Sequence, residues 1–157
     1  NTKEVIAKLS QMMRYMIYEA NHEKVPVSKE IEYIQNYIDL EKLRLEKDYP
    51  LEVNIEGDYS TLQISPLIFI TFLENAFKHG TSQGNENSWV KVSFKFDGNH
   101  CTYEVSNSKN EKSFGSEKSG IGLRNTRRRL NLSYEDLHKL EISENDKTYK
   151  VKLDIDL

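Results

Sequence analysis

Two short segments hold most of the residues able to do chemistry. Phe72-Leu73-Glu74-Asn75-Ala76-Phe77-Lys78-His79-Gly80 sets a carboxylate, an amide, an ammonium and an imidazole into an apolar helical run. Ser119-Gly120-Ile121-Gly122-Leu123-Arg124-Asn125-Thr126 is a glycine-rich turn that opens a helix loaded with arginine. Asn is a poor interior helix residue, and burying its amide without partners costs about 1–3 kcal/mol. Acting as a neutral oxygen ligand for Mg²⁺ would offset that cost, because Mg²⁺ takes hard oxygens and shares its shell with phosphate and water. His79 follows four residues later on the face of Asn75, and Lys78 offers a counter-charge to phosphate. Gly120 and Gly122 let backbone approach a ligand closely, and the helix after them presents free N–H groups to an anion. Together the segments suggest a magnesium-nucleotide site. Plainer readings compete. Glu74 and Lys78 also form an i,i+4 surface pair worth about 0.2–0.5 kcal/mol. His79 complements a helix C-terminus, Asn75 can cap a neighbouring loop, and Arg124, Arg127, Arg128 and Arg129 suit a solvated face.

The elements that must position these groups can be read from periodicity. Val5, Ile6, Leu9, Met12, Met13, Met16 and Ile17 recur at helical spacing, predicting a helix over 2–20. Asn21–Val27 reads as a polar connection. Ser28 is the expected N-cap of a second helix reaching about Glu46. Two helices joined by a short turn form an antiparallel hairpin, either covering the rest of the fold or serving as a dimerisation stalk. After Tyr49-Pro50 the period becomes two: Leu51, Val53 and Ile55 predict a strand. Ser65-Pro66 reads as an N-cap and first helical residue for a helix reaching Lys78 and stopped by Gly80. Val90–Phe96 and Cys101–Val105 alternate around Asp97-Gly98-Asn99 and predict a strand hairpin. Ser106–Ser119 is polar and aperiodic, a mobile loop by composition. A helix after Gly122 to about Leu132 follows, then strands at Leu140–Ser143 and Tyr149–Leu157. The order implies an α+β fold, a two-layer α/β sandwich with an N-terminal helical hairpin over 1–48 and a second domain over 49–157.

Bulk properties narrow the function. At 157 residues, with 30% charged and 37% hydrophobic residues, the chain suits one domain with a helical appendage. A net charge of -3 offers no support for nucleic-acid binding. The lone Cys101 excludes an internal disulfide. No run approaches the roughly 20 apolar residues of a membrane span. The first residue is not Met and falls within a helical pattern, so the chain is read as a piece of a longer protein.

Leu73-Glu74-Asn75-Ala76-Phe77-Lys78-His79-Gly80 resembles the N box of the GHKL (Bergerat) ATP-binding fold, as found in LytS/YehU-type sensor histidine kinases. Gly120-Ile121-Gly122-Leu123-Arg124-Asn125-Thr126-Arg127-Arg128-Arg129-Leu130 is similar to that family's G2 box. The stretches Leu9–Tyr18 and Glu30–Leu45 resemble the segment between phosphoacceptor and ATP domain. The resemblance implies a mixed sheet, ATP and Mg²⁺ as cofactors, and Asn75 as the metal ligand. It places Lys78 and His79 at the phosphate end and Gly120, Gly122 and Leu123 along the phosphates, with Asn125 holding the turn. Glu74 matches the residue that activates water in ATPase relatives. Thr148 matches a position near adenine, and Ser108–Ser119 would be a lid over the nucleotide. It also implies a response regulator, of the LytTR type, as partner, a homodimeric parent, and a place on the cytoplasmic face of a membrane through segments absent from this chain.

Two departures stand out. The family's G1 box reads Asp-x-Gly-x-Gly, whereas here it is Asn107-Ser108-Lys109-Asn110, with Asn107 in the Asp place. A neutral acceptor in place of a charged one predicts nucleotide binding weakened roughly tenfold. The family's phosphoacceptor histidine has no match among His22, His79, His100 and His138. The implied function is the catalytic portion of a histidine kinase that phosphorylates a histidine outside this chain. The rivals are a degenerate, non-catalytic dimerisation and signalling module, and an ATPase with Glu74 as base.

Overall fold

The structure, a computed structural model, describes residues 1–45, 47–80, 87–109 and 120–157. In chain order the first elements are α1 (Thr2–Arg14), a π-helical turn (Tyr15–Glu19), β1 (Val25–Pro26), α2 (Val27–Arg44), β2 (Leu51–Glu56) and β3 (Gln63–Ile64). They are followed by α3 (Phe69–Gly80), β4 (Val90–Asp97), β5 (His100–Ser108), α4 (Gly120–Ser133), β6 (His138–Glu144) and β7 (Thr148–Asp156). They form two compact units, Asn1–Asp48 with Tyr59–Phe69, and Tyr49–Asp58 with Ile70–Leu157.

In the first unit α1 and α2 run antiparallel. Lys8 pairs with Asp39 at 3.1 Å, Asn36 donates to Gln11 at 3.3 Å, and Tyr15 donates to Glu30. As the first number of each pair rises, the second falls. Asn1 caps α1 by accepting from the Lys3 amide at 3.0 Å. The last turn widens where the Ala20 N–H reaches the Tyr15 carbonyl at 2.8 Å, five residues back. The cap expected at Ser28 does not form. Val25–Pro26 is a strand paired with Gln63–Ile64, Pro26 stands at the cap position, and the Val27 N–H donates to Leu62 at 2.9 Å. The polar connection read over Asn21–Val27 therefore contains a strand, with Val25 and Val27 buried.

The Ser65-Pro66 start is also corrected, because the helix begins at Phe69. Leu67 sits at φ 63, a left-handed backbone that a non-Gly residue holds at a cost of about 1–3 kcal/mol. Its amide donates to Glu30 Oε1 at 2.7 Å instead of entering a helix. Locally Ser-Pro is a good helix start; a carboxylate from another element overrides it.

The second unit is a five-stranded mixed sheet in the order β2-β4-β5-β7-β6, with β2 parallel to β4 and every other pair antiparallel. Strand alternation decides its two faces. One face carries Val90, Val92, Phe94, Phe96, Cys101, Tyr103, Val105, Val151, Leu153 and Ile155, all buried. Phe72, Leu73, Ala76 and Phe77 of α3 and Leu130 of α4 are buried as well. Aromatic contacts knit this layer. Phe94 stacks on Tyr103 at 4.5 Å, and Phe72 meets the same ring edge-on at 6.4 Å. Burial pushes the Cys101 thiol up to about 12, so it stays protonated. β5 runs through Asn107 and Ser108, which pair with Tyr149 and Thr148. The aperiodic loop read from Ser106 thus begins later; its residues 110–119 lie outside the described residues.

The opposite face is polar. Glu104 stands opposite Lys152, which stands opposite Glu141, and Thr102 stands opposite Asp154 beside Lys139. His100 spans two carboxylates, with Nδ1 at 2.7 Å from Asp156 and Nε2 at 3.1 Å from Asp154. These two bonds, that to Asp156 the larger, raise the His100 pKa above its ordinary 6.5. A raised folded-state pKa contributes stability that is complete below 6.5 and is lost as pH rises through the folded value. His100→Gln should therefore lower the melting temperature most at mildly acidic pH. The curves of the two proteins should converge at alkaline pH, and salt should shrink the gap. Thermal melts across pH 5–9 check this.

Candidate functional site

On α3 the side chains sort into three stripes. Phe72, Leu73, Ala76 and Phe77 are buried, Glu74 and Lys78 are exposed, and Thr71, Asn75 and His79 are half-buried between them. The spacing of four makes the half-buried trio one continuous polar stripe. Burial, then the neighbouring Lys78, lowers the His79 pKa, which keeps its imidazole neutral at neutral pH.

At the N-terminal end of the stripe, α4 packs against Thr71. The Thr126 hydroxyl donates to the Thr71 hydroxyl at 2.9 Å. A Cβ added at Gly122 would stand 3.5 Å from Thr71 Cγ2, an ordinary contact. Gly120 and Gly122 form the first turn of α4 rather than a separate turn before it, and neither has a positive φ. Gly122 in that turn therefore lies beside Thr71, at the N-terminal end of the polar stripe. Leu123 is half-buried, while Asn125 is exposed on the helix and holds no turn. The contact to α3 comes from Thr126, whose alcohol lies four residues after Gly122; spacing was the only signal for it.

The C-terminal end of α3 is fixed more tightly. A Cβ at Gly80 would lie 2.8 Å from Asn107 Cβ and 3.0 Å from Val90 Cγ2. Gly80 thus lets the helix end touch β5 at Asn107. The Gly80 carbonyl accepts from the Tyr49 hydroxyl at 3.0 Å, with the Ser108 hydroxyl at 3.5 Å. Ser108 also accepts from the Trp89 amide at 2.9 Å. Asn107 is 1% exposed. Its Nδ2 donates to the Ser108 carbonyl at 2.8 Å, which fixes the amide's orientation and leaves Oδ1 as its acceptor.

Thr148 begins β7 opposite Ser108, its amide held by Asn145 at 2.8 Å. Because facing residues of an antiparallel pair share a side, Tyr149 and not Thr148 lies on the Asn107 face. Burial first, then Glu144, raises the Tyr149 hydroxyl, while Arg127 draws it down. Tyr149 was not foreseen, since only the strand register reveals it. The arrangement is thus a polar stripe bounded by the first turn of α4 at one end and by a locked amide at the other. A neutral oxygen at Asn75, N–H donors from α4 and the Lys78 ammonium form a donor set that fits a metal-bound polyphosphate. Among the described residues no cluster of three or more His, Cys, Asp or Glu could hold a metal alone. Such a metal would need phosphate oxygens to complete its shell.

Residues 1–49 match the family model of histidine kinases. The sensor histidine kinase BtsS of Escherichia coli K12 is 26% identical over 121 residues, covering 77% of this chain and 22% of BtsS. The chain is similar in sequence to the LytS and BtsS sensor histidine kinases over part of its length. The sensor protein LytS of Bacillus subtilis 168 is 30% identical over 78 residues, covering 50% of this chain and 13% of LytS. The chain spans about a fifth of the length of BtsS. Among solved structures, the catalytic domain of histidine kinase ThkA superposes with a TM-score of 0.58 at 12% identity, covering 85% of this chain and 95% of that one. The histidine kinase domain from the Erythrobacter litoralis EL346 blue-light activated kinase gives 0.58 at 13% identity, covering 99% and 74%. These likenesses show that the chain has the fold of histidine kinase catalytic domains.

Two substitutions test the geometry. Gly80→Ala forces a methyl into the Asn107–Val90 contact and should destabilise by about 1–3 kcal/mol. Asn107→Asp removes the donor to Ser108 and sets a carboxylate against a carbonyl oxygen, so it should lose about 1–3 kcal/mol of stability. Urea unfolding of both variants gives the values.

Proposed function

We propose that this chain is the ATP-binding catalytic portion of a two-component sensor histidine kinase. In this reading it transfers the γ-phosphoryl group of ATP to a histidine outside the chain, from which it passes to an aspartate of a response regulator of the LytTR type. The observation that carries the reading is the Asn75 stripe, bracketed by the first turn of α4 through Thr71 and by Asn107 through Gly80. The polyphosphate would lie along the stripe, with the base toward Asn107 and Tyr149.

The residues divide the work. Asn75 would give its amide oxygen to Mg²⁺. Gly120, Gly122 and Leu123 would offer backbone N–H groups, and Lys78 its charge, to the phosphates. Neutral His79 would donate a hydrogen bond without competing for the metal's charge. Asn107 would accept from an exocyclic amine through Oδ1, with Thr148 beside it at the strand start. Glu74, exposed one residue from Asn75, would take a proton from the acceptor. Catalysis would be positioning and charge neutralisation, as phosphoryl transfer requires.

Two histidines of this chain are held by other groups and so are poorly suited as acceptors. His100 is tied to Asp154 and Asp156, and His138 Nδ1 to the Tyr134 carbonyl. A homodimeric parent is supported by the exposed stripe Ile6, Leu9, Met13, Met16 and Ile17 on the first helix and its π turn, Ile6 being 58% and Met13 55% exposed. Among the described residues no helix is long and apolar enough to cross a membrane. Placement at the cytoplasmic face of a membrane would come from segments outside this chain.

Titration with a fluorescent ATP analogue, with and without Mg²⁺, decides between this reading and a degenerate dimerising module. Binding should depend on Mg²⁺ and weaken at least tenfold in Asn75→Ala with the fold intact by circular dichroism. No binding at millimolar nucleotide would overturn the kinase reading and leave the non-catalytic module.

A further inference from the structure

Glu30 is a buried carboxylate for which nucleotide chemistry has no use. It is 2% exposed on α2. One oxygen accepts from the Tyr15 hydroxyl, and the other from the Leu67 amide at 2.7 Å. Both partners stand in uncommon backbone. Tyr15 opens the π-helical turn, its carbonyl holding the Ala20 amide at 2.8 Å. Leu67, at φ 63, is the only non-Gly residue with positive φ among the described residues. The Tyr15 ring is seated against Tyr33, centroids 5.2 Å apart, so its hydroxyl reaches Glu30 from a fixed position.

Each conformation has an ordinary alternative nearby. A π turn that tightens to an α turn shifts the helix register by one residue, about 100° of rotation. A Leu released from the left-handed region returns to negative φ. The segment around Leu67 is braced on one side by the β1–β3 pairing and by the Val27–Leu62 hydrogen bond. Leu67 lies between that pairing and the start of α3 at Phe69.

We propose that Glu30 is a conformational latch. Its two oxygens tie the π register of the first helix to the left-handed backbone at Leu67, so the two convert together. A shift in the first helix that withdraws the Tyr15 hydroxyl removes one of the carboxylate's donors; a buried charge with fewer donors favours a position nearer solvent, and that movement takes it away from the Leu67 amide. The device has two states and needs no nucleotide, so it stands apart from the catalytic reading.

A double-mutant cycle on the whole chain tests the latch, using Tyr15→Phe, Leu67→Gly and the pair, by urea unfolding and amide NMR. Tyr15→Phe removes one hydroxyl and keeps the ring. It should raise the unfolding constant about tenfold in the parent chain. In the Leu67→Gly background, where glycine adopts positive φ unaided, the rise should be at least threefold smaller. The Leu67 amide resonance should move in Tyr15→Phe. Equal effects in both backgrounds with an unmoved Leu67 resonance would show two independent bonds and overturn the latch. If Tyr15→Phe fails to fold, hydrogen exchange in the unaltered chain decides. Latched amides at Ala20 and Leu67 open with one common urea dependence; separate dependences overturn the proposal.

Discussion

The second unit depends on the contact between Gly80 and Asn107. A helix end normally stands off a sheet by the length of a side chain, and here the missing Cβ removes that spacer. Tyr49 and Ser108 then satisfy a carbonyl that the helix leaves without a partner. With Thr71 held by α4 at the other end, α3 is anchored at both termini of its polar stripe. The distance from the Asn75 amide to the α4 amides and to Asn107 is thereby set by packing and not by loops. A site built on rigid elements can hold its ligand groups before the ligand arrives.

Charge is distributed to match. The chain carries a net charge of -3, yet α4 bears Arg124, Arg127, Arg128 and Arg129 with no acidic residue along its length. The opposite face of the sheet mixes signs, with Glu104, Glu141, Asp154 and Asp156 set among Lys91, Lys95, Lys139, Lys150 and Lys152. The helix-covered side thus offers an anion a more favourable field than the net charge implies. Neutral His79 adds a polar group without adding charge, and Lys78 supplies an exposed cation on that helix, which also carries the Glu74 carboxylate.

Much of this was legible in the sequence, for identifiable reasons. The alternation of Val90–Phe96 and Cys101–Val105 reports a half-covered sheet directly, because each side chain's face follows from its own position. Asn75 and His79 stood out in the sequence because polar groups are unusual within so apolar a helical run, and the structure sets them half-buried on one stripe of α3. What failed were features decided by distant partners. Ser65-Pro66 is a sound local helix start, defeated by Glu30 holding Leu67. Ser28 lost its cap to a strand whose partner lies beyond α2. Gly120 and Gly122 read as a turn but continue as helix, since glycine permits unusual backbone without requiring it. Tyr149 was invisible because strand register, and with it the choice between Thr148 and Tyr149, emerges only from pairing across β5.

The buried thiol at Cys101 has a practical side. It lies within the sheet, fully covered, and burial keeps it in the unreactive protonated form. Alkylating reagents and maleimide dyes should pass it over while the chain stays folded. A cysteine introduced on the exposed surface of α4 or α1 would then take up a spectroscopic label alone, with the natural sequence otherwise intact. The same thiol becomes a reporter of unfolding, since modification at that position would require the sheet to open.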